Sequence, residues 1–246
     1  VIAVLSTGNV ALIKLSSSDD KLLPELLKRL ISFEPVLEER IIYVERLQDF
    51  DAVIATGSNN SSRYFEYYFG KVPNIIRKNR TSVGVITGNE TPQQIVALGH
   101  DIFDYFGLGC RNVSKLYIPK GYDLKYFFEP LEQYKGIINH FKYNNNYDYN
   151  KSIYLVNNAK HYDNGFLLLK EDAELSSPLA VLFFQYYETL DEVNELLKME
   201  EQNLQCVVSA TNLKIGTPVL EFGESQKPRL WDYADNVNTI EFLNGM

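Results

Sequence analysis

Cysteine is scarce: two in 246 residues exclude a disulfide framework and suit a reducing, cytoplasmic setting. No stretch approaches the roughly 20 uninterrupted apolar residues that a membrane span needs. Nor does a basic stretch, apolar core and small-residue cleavage site mark a secretion signal. Basic residues are outnumbered, 24 Lys and Arg against 32 Asp and Glu, and the net charge of −8 argues against nucleic acid as a partner. The patch IIRKNR at 75–80 is a local exception. An initial methionine is also lacking, and the chain starts at Val1 inside VIAVL (1–5), a continuous apolar run of the kind expected of a strand buried on both faces. A domain seldom begins with its buried strand, so a further N-terminal segment is expected ahead of Val1.

What is present is ordinary for a globular protein, 45% hydrophobic and 23% charged, and long enough for one large domain or two smaller ones. Strand and helix signals alternate through the first third. VALIK (10–14) reads as a strand, followed by the polar cluster SSSDD (16–20) with N-cap candidates for a helix at 22–31. Pro24 falls in its first turn, where a missing N–H costs nothing. RIIYV (40–44) and DAVIATGS (51–58) read as strands, the second running into a helix at 59–69. A second unit starts near SVGVIT (82–87), with a helix opening at Thr91-Pro92, strands at 114–119, 179–184 and 205–210, and a helix at 191–197. The Tyr/Asn-rich stretch 141–150 reads as a loop or helix end. Alternating strands and helices imply an α/β fold with a parallel sheet.

The sharpest chemical feature is FGLGCRN (106–112). A cysteine directly after glycines at a helix-to-strand junction sits on a turn, where the backbone can approach a substrate closely. A nucleophilic cysteine needs exposure and a lowered pKa, from backbone N–H groups or from cations such as Arg111 and Lys115. The alternative for Cys110 is a small buried hydrophobe. Cys206, inside an apolar strand, fits that alternative.

In order along the chain, a strand leading to Lys14 and Ser16, Thr56-Gly57-Ser58 after a strand, Gly109-Cys110 with Ser114, and Glu174 with Pro178 resemble the aldehyde dehydrogenase superfamily. Within it, the stretches IKLSSSD (13–19), RKNRTSVGVITGNE (77–90) and QKPRLWDYAD (226–235) resemble the bacterial acyl-CoA reductases related to the fatty-acyl reductase of bacterial luminescence. The resemblance runs through essentially the whole chain. It implies a partial Rossmann-type cofactor domain over 1–81, an α/β catalytic domain over 82–225, and a C-terminal tail over 226–246 whose strand pairs with a partner subunit in a homodimer.

The same resemblance implies residue roles. Cys110 is the nucleophile. Lys14, with Ser16 and Ser17, binds the adenine ribose or its phosphate. Ser17 stands where relatives preferring NAD carry an acid, and a small neutral residue admits a 2′-phosphate, which favours NADPH. Thr56, Gly57 and Ser58 form the turn beside the pyrophosphate. Glu174 holds the nicotinamide ribose, with Glu171 as a competing acid and Ser176 where the family has an aromatic residue. Oxidative members carry a glutamate some thirty residues before the cysteine to activate water; the corresponding stretch 75–80 has no carboxylate. An acyl-enzyme then survives to be reduced. The implied activity is reduction of an acyl thioester, on coenzyme A or a carrier protein, to a fatty aldehyde. His100, His140 and His161 are the candidate proton carriers, and no metal is called for. Two alternatives stay open: reduction of an acyl phosphate, and a degenerate member that binds acyl groups or a partner without turnover.

Overall fold

The computed structural model describes residues 1–16 and 19–246. The chain forms two compact units, Val1–Lys78 with Asn236–Met246, and Asn79–Asp235.

The first unit opens with a helix, α1 (Ile2–Ser6), where the apolar run was read as a strand. A short apolar run has no period that separates strand from helix, and the deciding features are polar ones. The Ser6 hydroxyl donates to the Ala3 carbonyl and that of Thr7 to Ala3 and Val4, while Gly8 takes a φ of 79° and turns the chain. Only Leu5 is buried, against Ala11, Ile13, Leu27 and Ile41, while Ile2 is left in water. Strand β1 (Ala11–Ile13), helix α2 (Leu22–Phe33) and strand β2 (Ile41–Tyr43) follow, with β1 and β2 parallel. The N-cap of α2 is Lys21, which follows the polar cluster and makes no side-chain cap hydrogen bond. Strand β3 (Val53–Thr56), helix α3 (Asn59–Phe69) and strand β4 (Asn74–Arg77) form a second strand–helix–parallel strand unit.

The second unit is built on a seven-stranded sheet. Its elements in chain order are β5 (Thr81–Val85), α4 (Pro92–Phe103), β6 (Val113–Pro119), α5 (Lys125–Leu131), α6 (Phe141–Val156), β7 (Tyr162–Asp163), β8 (Leu168–Glu171), β9 (Val181–Tyr187), α7 (Leu190–Met199), β10 (Leu204–Ser209) and β11 (Val219–Leu220). The strand order is β11-β10-β5-β6-β9-β8-β7, parallel throughout except for β7. The central strands are buried on both faces, which is why apolar residues dominate them in sequence. One face packs Ile86, Leu116 and Phe184 against Leu98 and Ile102 of α4 and Phe127 of α5. The other packs Val83, Val85 and Tyr117 against Val193 and Leu197 of α7. The start of α4 is the one the sequence marked: Thr91 accepts from the Gln94 amide, Gln94 bonds back to Thr91, and Pro92 opens the first turn.

Two stretches differ from the sequence reading. Residues 141–150 lie in α6, a regular helix whose buried stripe is Tyr143, Tyr147, Asn150 and Tyr154. The spacing is helical, but tyrosine and asparagine supply it in place of aliphatic residues. Three of these polar ends have partners: Tyr143 donates to the Phe166 carbonyl, Tyr147 to Asp163, and Asn150 to the Leu179 carbonyl. The last twenty residues contain no strand; they end in helix α8 (Thr239–Asn244), whose N-cap Asn238 accepts from the Glu241 amide. α8 belongs to the first unit, beside α1, and the Thr239 hydroxyl accepts from Arg77 at 3.1 Å.

Candidate functional site

The Cys110 turn is fixed from below by a buried asparagine. After α4 the chain makes a tight turn, Asp104–Gly107, in which Tyr105 (φ 55°), Phe106 (φ 61°) and Gly107 (φ 75°) are all left-handed. Two consecutive non-glycine residues in that region carry strain that the surroundings must hold. Asn112, 4% exposed, supplies much of the hold. Its Nδ2 donates to the carbonyls of Asp104 (2.8 Å), Asp101 (3.1 Å) and Ile102 (3.3 Å), and its Oδ1 accepts from the Gly109 amide (2.8 Å). The first three bonds satisfy carbonyls left open where α4 stops. The last, with the Asn112 amide to the Gly109 carbonyl at 3.0 Å, closes the four-residue turn containing Cys110. On the following side the Ser82 hydroxyl donates to the Cys110 carbonyl at 2.9 Å. The backbone of Cys110 is thus held on both sides while its side chain is exposed.

The cations next in sequence are occupied elsewhere. Arg111 donates to the Ser225 carbonyl at 3.4 Å. Lys115, 1% exposed, donates through Nζ to the Ala173 carbonyl (2.7 Å) and to Gln185 (2.9 Å). Burial lowers its pKa, opposed by the carboxylates of Asp172, Glu200 and Glu174. Cys206 is the buried cysteine, its thiol pushed up by burial and 3.1 Å from the Ser82 hydroxyl.

Glu174 is exposed and lies in the link between β8 and β9, where its amide donates to Asp172 at 3.1 Å. Glu171 is instead the last residue of β8, paired with Phe184. Lys14 and Ser16 follow β1, with Ser16 bridged to Asp19; Ser17 lies outside the described residues. Thr56 ends β3, and Ser58 caps α3 by accepting from the Ser61 amide at 3.2 Å. Gly57 is held so close to α3 that a Cβ there would meet Phe65 and Ser61 at 2.8 Å. Lys14, Ser16 and Thr56-Gly57-Ser58 therefore belong to the first unit, at or just after the C-terminal ends of parallel strands, and Cys110 and Glu174 to the second.

Of the histidines, His140 stacks on Phe106 with ring centroids 4.0 Å apart, His100 faces Asp104 at 3.2 Å, and His161 contacts the Ala159 carbonyl at 2.8 Å. Asn112, Ser82 and Asp101 were not singled out from sequence. Little in the sequence marked them: Ser82 has Thr81 beside it in β5, and Asn112 lies between Arg111 and a strand that itself carries Ser114 and Lys115.

Asp101, fully buried on α4, accepts from the amides of Gly223 (2.6 Å) and Ser225 (2.9 Å). The segment it holds is also the one that Arg111 reaches. Asp101→Ala leaves two buried N–H groups unpaired and is expected to cost about 3 kcal/mol, measured by denaturant unfolding. Burial raises this carboxyl above its ordinary 3.8, more than the two amides lower it. A carboxyl that holds its proton more tightly folded than unfolded stabilises most at acid pH. The gap between wild type and variant is therefore expected to narrow as pH rises above 3.8 through the raised folded value.

Several solved structures share this architecture. An indole-3-acetaldehyde dehydrogenase, AldA of P. syringae, solved in complex with NAD+ and IAA, aligns with a TM-score of 0.67 at 14% identity, over 89% of this chain and 56% of its own. The fold is that of the aldehyde dehydrogenases. A bifunctional proline utilization A protein aligns at a TM-score of 0.63 and 13% identity, over 84% of this chain and 25% of its own. The Δ-pyrroline-5-carboxylate dehydrogenase of Mycobacterium tuberculosis aligns at 0.54 and 14%, over 87% and 48%. The chain spans about half the length of the two dehydrogenases and a quarter of the bifunctional protein. Neither a protein-family model nor a curated protein sequence matches it. The aldehyde-dehydrogenase-like α/β fold expected from the order of motifs is the one found.

Proposed function

We propose that this chain acts as an NADPH-dependent acyl-thioester reductase, in which Cys110 takes the acyl group and releases it as the aldehyde. The observation that carries the reading is the Cys110 turn, with its backbone pinned by Ser82 and Asn112 and its side chain exposed. The Cys110 thiolate attacks the thioester carbonyl, an Sγ–C bond forms, and the carbonyl electron pair moves onto oxygen. The Cys110 amide is assigned to that oxyanion. Collapse expels the thiolate of coenzyme A or of a carrier protein and leaves the acyl-enzyme.

A bound nicotinamide cofactor supplies the hydride that reduces the acyl carbonyl. The residues present fit such a group. The glycine at 57, with no room for a Cβ, and the start of α3 behind the Ser58 cap suit a pyrophosphate. Lys14 and Ser16 after β1 suit the adenine ribose with its phosphate, and Glu174 the nicotinamide ribose. The stretch IIRKNR (75–80) offers no carboxylate, so water is not activated to hydrolyse the acyl-enzyme, and reduction prevails over aldehyde oxidation. Loss of the Sγ–C bond then returns Cys110 and frees the aldehyde. His140, stacked on the loop that leads to Cys110, is the first histidine to test as the proton carrier. The resemblance to fatty-acyl reductases extends to a homodimer and a fatty acyl chain.

The test is nicotinamide oxidation with long-chain acyl-CoA beside the matching acyl phosphate, each with NADPH and NADH. Turnover is expected with acyl-CoA and NADPH. Turnover confined to acyl phosphate would replace the thioester by that substrate, and cofactor binding without turnover of either would leave a binding protein.

A further inference from the structure

Parallel neighbouring strands are usually joined through a dozen or more residues, most often with a helix. β8 and β9 are parallel neighbours joined by nine residues, 172–180, with no helix among them. Such a link cannot hold itself by its own ladder, so its carbonyls must find partners elsewhere. Two of those carbonyls flank Glu174, and both are taken by consecutive residues of β6. Lys115 Nζ donates to the Ala173 carbonyl at 2.7 Å, and Ser114 Oγ donates to the Leu175 carbonyl at 2.7 Å. Ser114 is braced in turn by the Thr81 hydroxyl at 2.6 Å, and Lys115 by Gln185 at 2.9 Å. The strand that grips both sides of Glu174 is the strand that the Cys110 turn feeds, starting at Val113 directly after it.

A buried ammonium is an expensive way to tie a loop. Burial already lowers the Lys115 pKa, and an apolar residue of similar size would serve stability as well or better. What the charge adds is a strong, directed bond to one carbonyl. We propose that Ser114 and Lys115 are positioning residues that reference Glu174 to the strand carrying Cys110, so that the acid for the cofactor ribose and the nucleophile are set by one rigid element. The inference rests on the reading of Glu174 as a ribose-binding acid given above.

The test uses the full chain with Lys115→Met, Ser114→Ala and Glu174→Gln, and three readouts. These are amide hydrogen exchange over 172–178, the NADPH dissociation constant from nicotinamide fluorescence, and the rate of Cys110 acylation by acyl-CoA without cofactor. In Lys115→Met and Ser114→Ala, exchange over 172–178 is expected to quicken and the NADPH dissociation constant to rise about tenfold, while acylation stays within about twofold. Glu174→Gln is expected to give the same rise in dissociation constant, with little further rise when combined with Lys115→Met, because both act through one contact. Faster exchange with unchanged NADPH binding would overturn the positioning role. So would an equal loss of binding and acylation, or additive effects in the double variant. If Lys115→Met does not fold, Ser114→Ala decides by the same readouts. A wild-type chain that neither binds NADPH nor becomes acylated would overturn the proposed function itself, and this inference with it.

Discussion

Cys110→Ala is expected to abolish acyl-CoA-dependent NADPH oxidation, a loss of about 10³-fold or more, with no measurable change in stability. Both halves of that expectation come from the same geometry. The side chain is exposed, so truncating it removes no buried contact, and exposed substitutions of this kind fall within about ±0.5 kcal/mol. The bonds that shape the turn run through the backbone of Gly109 and Cys110 and through Ser82 and Asn112, all of which the variant keeps. The proposed nucleophile disappears and its setting does not. Intact-mass spectrometry after mixing with acyl-CoA in the absence of cofactor provides the direct check. Wild type should gain one acyl group, and the variant none. Cys206→Ser is the control, since that thiol is buried and pushed toward its neutral form; it should keep the adduct. An acyl adduct that persists in Cys110→Ala would move the chemistry to another residue.

Much of this fold was legible because its central strands are buried on both faces and carry apolar stretches, VGV in β5, VLFF in β9 and CVV in β10. The start of α4 was legible through a side-chain motif, Thr91 to Gln94, that acts within four residues. Three elements were not, each for a local reason. VIAVL has apolar residues at every position, so the pattern left strand and helix equal, and hydroxyls at Ser6 and Thr7 with Gly8 decided for helix. α6 hides its core-facing stripe in tyrosines whose hydroxyls bond residues at 163 and 166, contacts that do not exist until the sheet has formed. The tail strand was expected from the resemblance alone, and Asn238 caps the segment into a helix instead.

The candidate site divides in the same way. Cys110 stood out because glycines on a helix-to-strand junction advertise a turn, and Thr56-Gly57-Ser58 because a strand runs straight into it. The side chains that hold those turns did not stand out, because their partners are remote in sequence. Ser82 meets the carbonyl of residue 110, and Lys115 that of residue 173. A neighbouring cation invites the inference that it activates the cysteine; Arg111 and Lys115 are both committed to carbonyls of other segments. Sequence proximity gave the residue types of the site, and long-range hydrogen bonds gave its shape.

Asn112 is where shape and chemistry meet, and its substitution is expected to have the second large effect. Asn112→Ala opens the Gly109 amide and the carbonyls of Asp101, Ile102 and Asp104 at once. Even with water reaching some of them, the expected cost is about 3 kcal/mol, and the left-handed Tyr105 and Phe106 lose a main reason to stay where they are. With Cys110 as the proposed nucleophile, its displacement by about 1 Å is expected to lower kcat/KM by about 10²-fold. Asn112→Asp separates the two halves of the side chain. It retains an oxygen for the Gly109 amide but sets a carboxylate against three carbonyl oxygens in a nearly closed site. Near neutral pH it should therefore unfold at lower denaturant than Asn112→Ala, and recover as acid protonates the new carboxyl and restores one donor. Iodoacetamide labelling reports on the Cys110 turn, because Cys206 is buried and Cys110 is exposed. In folded Asn112→Ala the labelling rate at Cys110 should change while the protein remains native. Unchanged labelling and unchanged kcat/KM would mean that Ser82 alone suffices to hold the turn, and that Asn112 serves only to end α4.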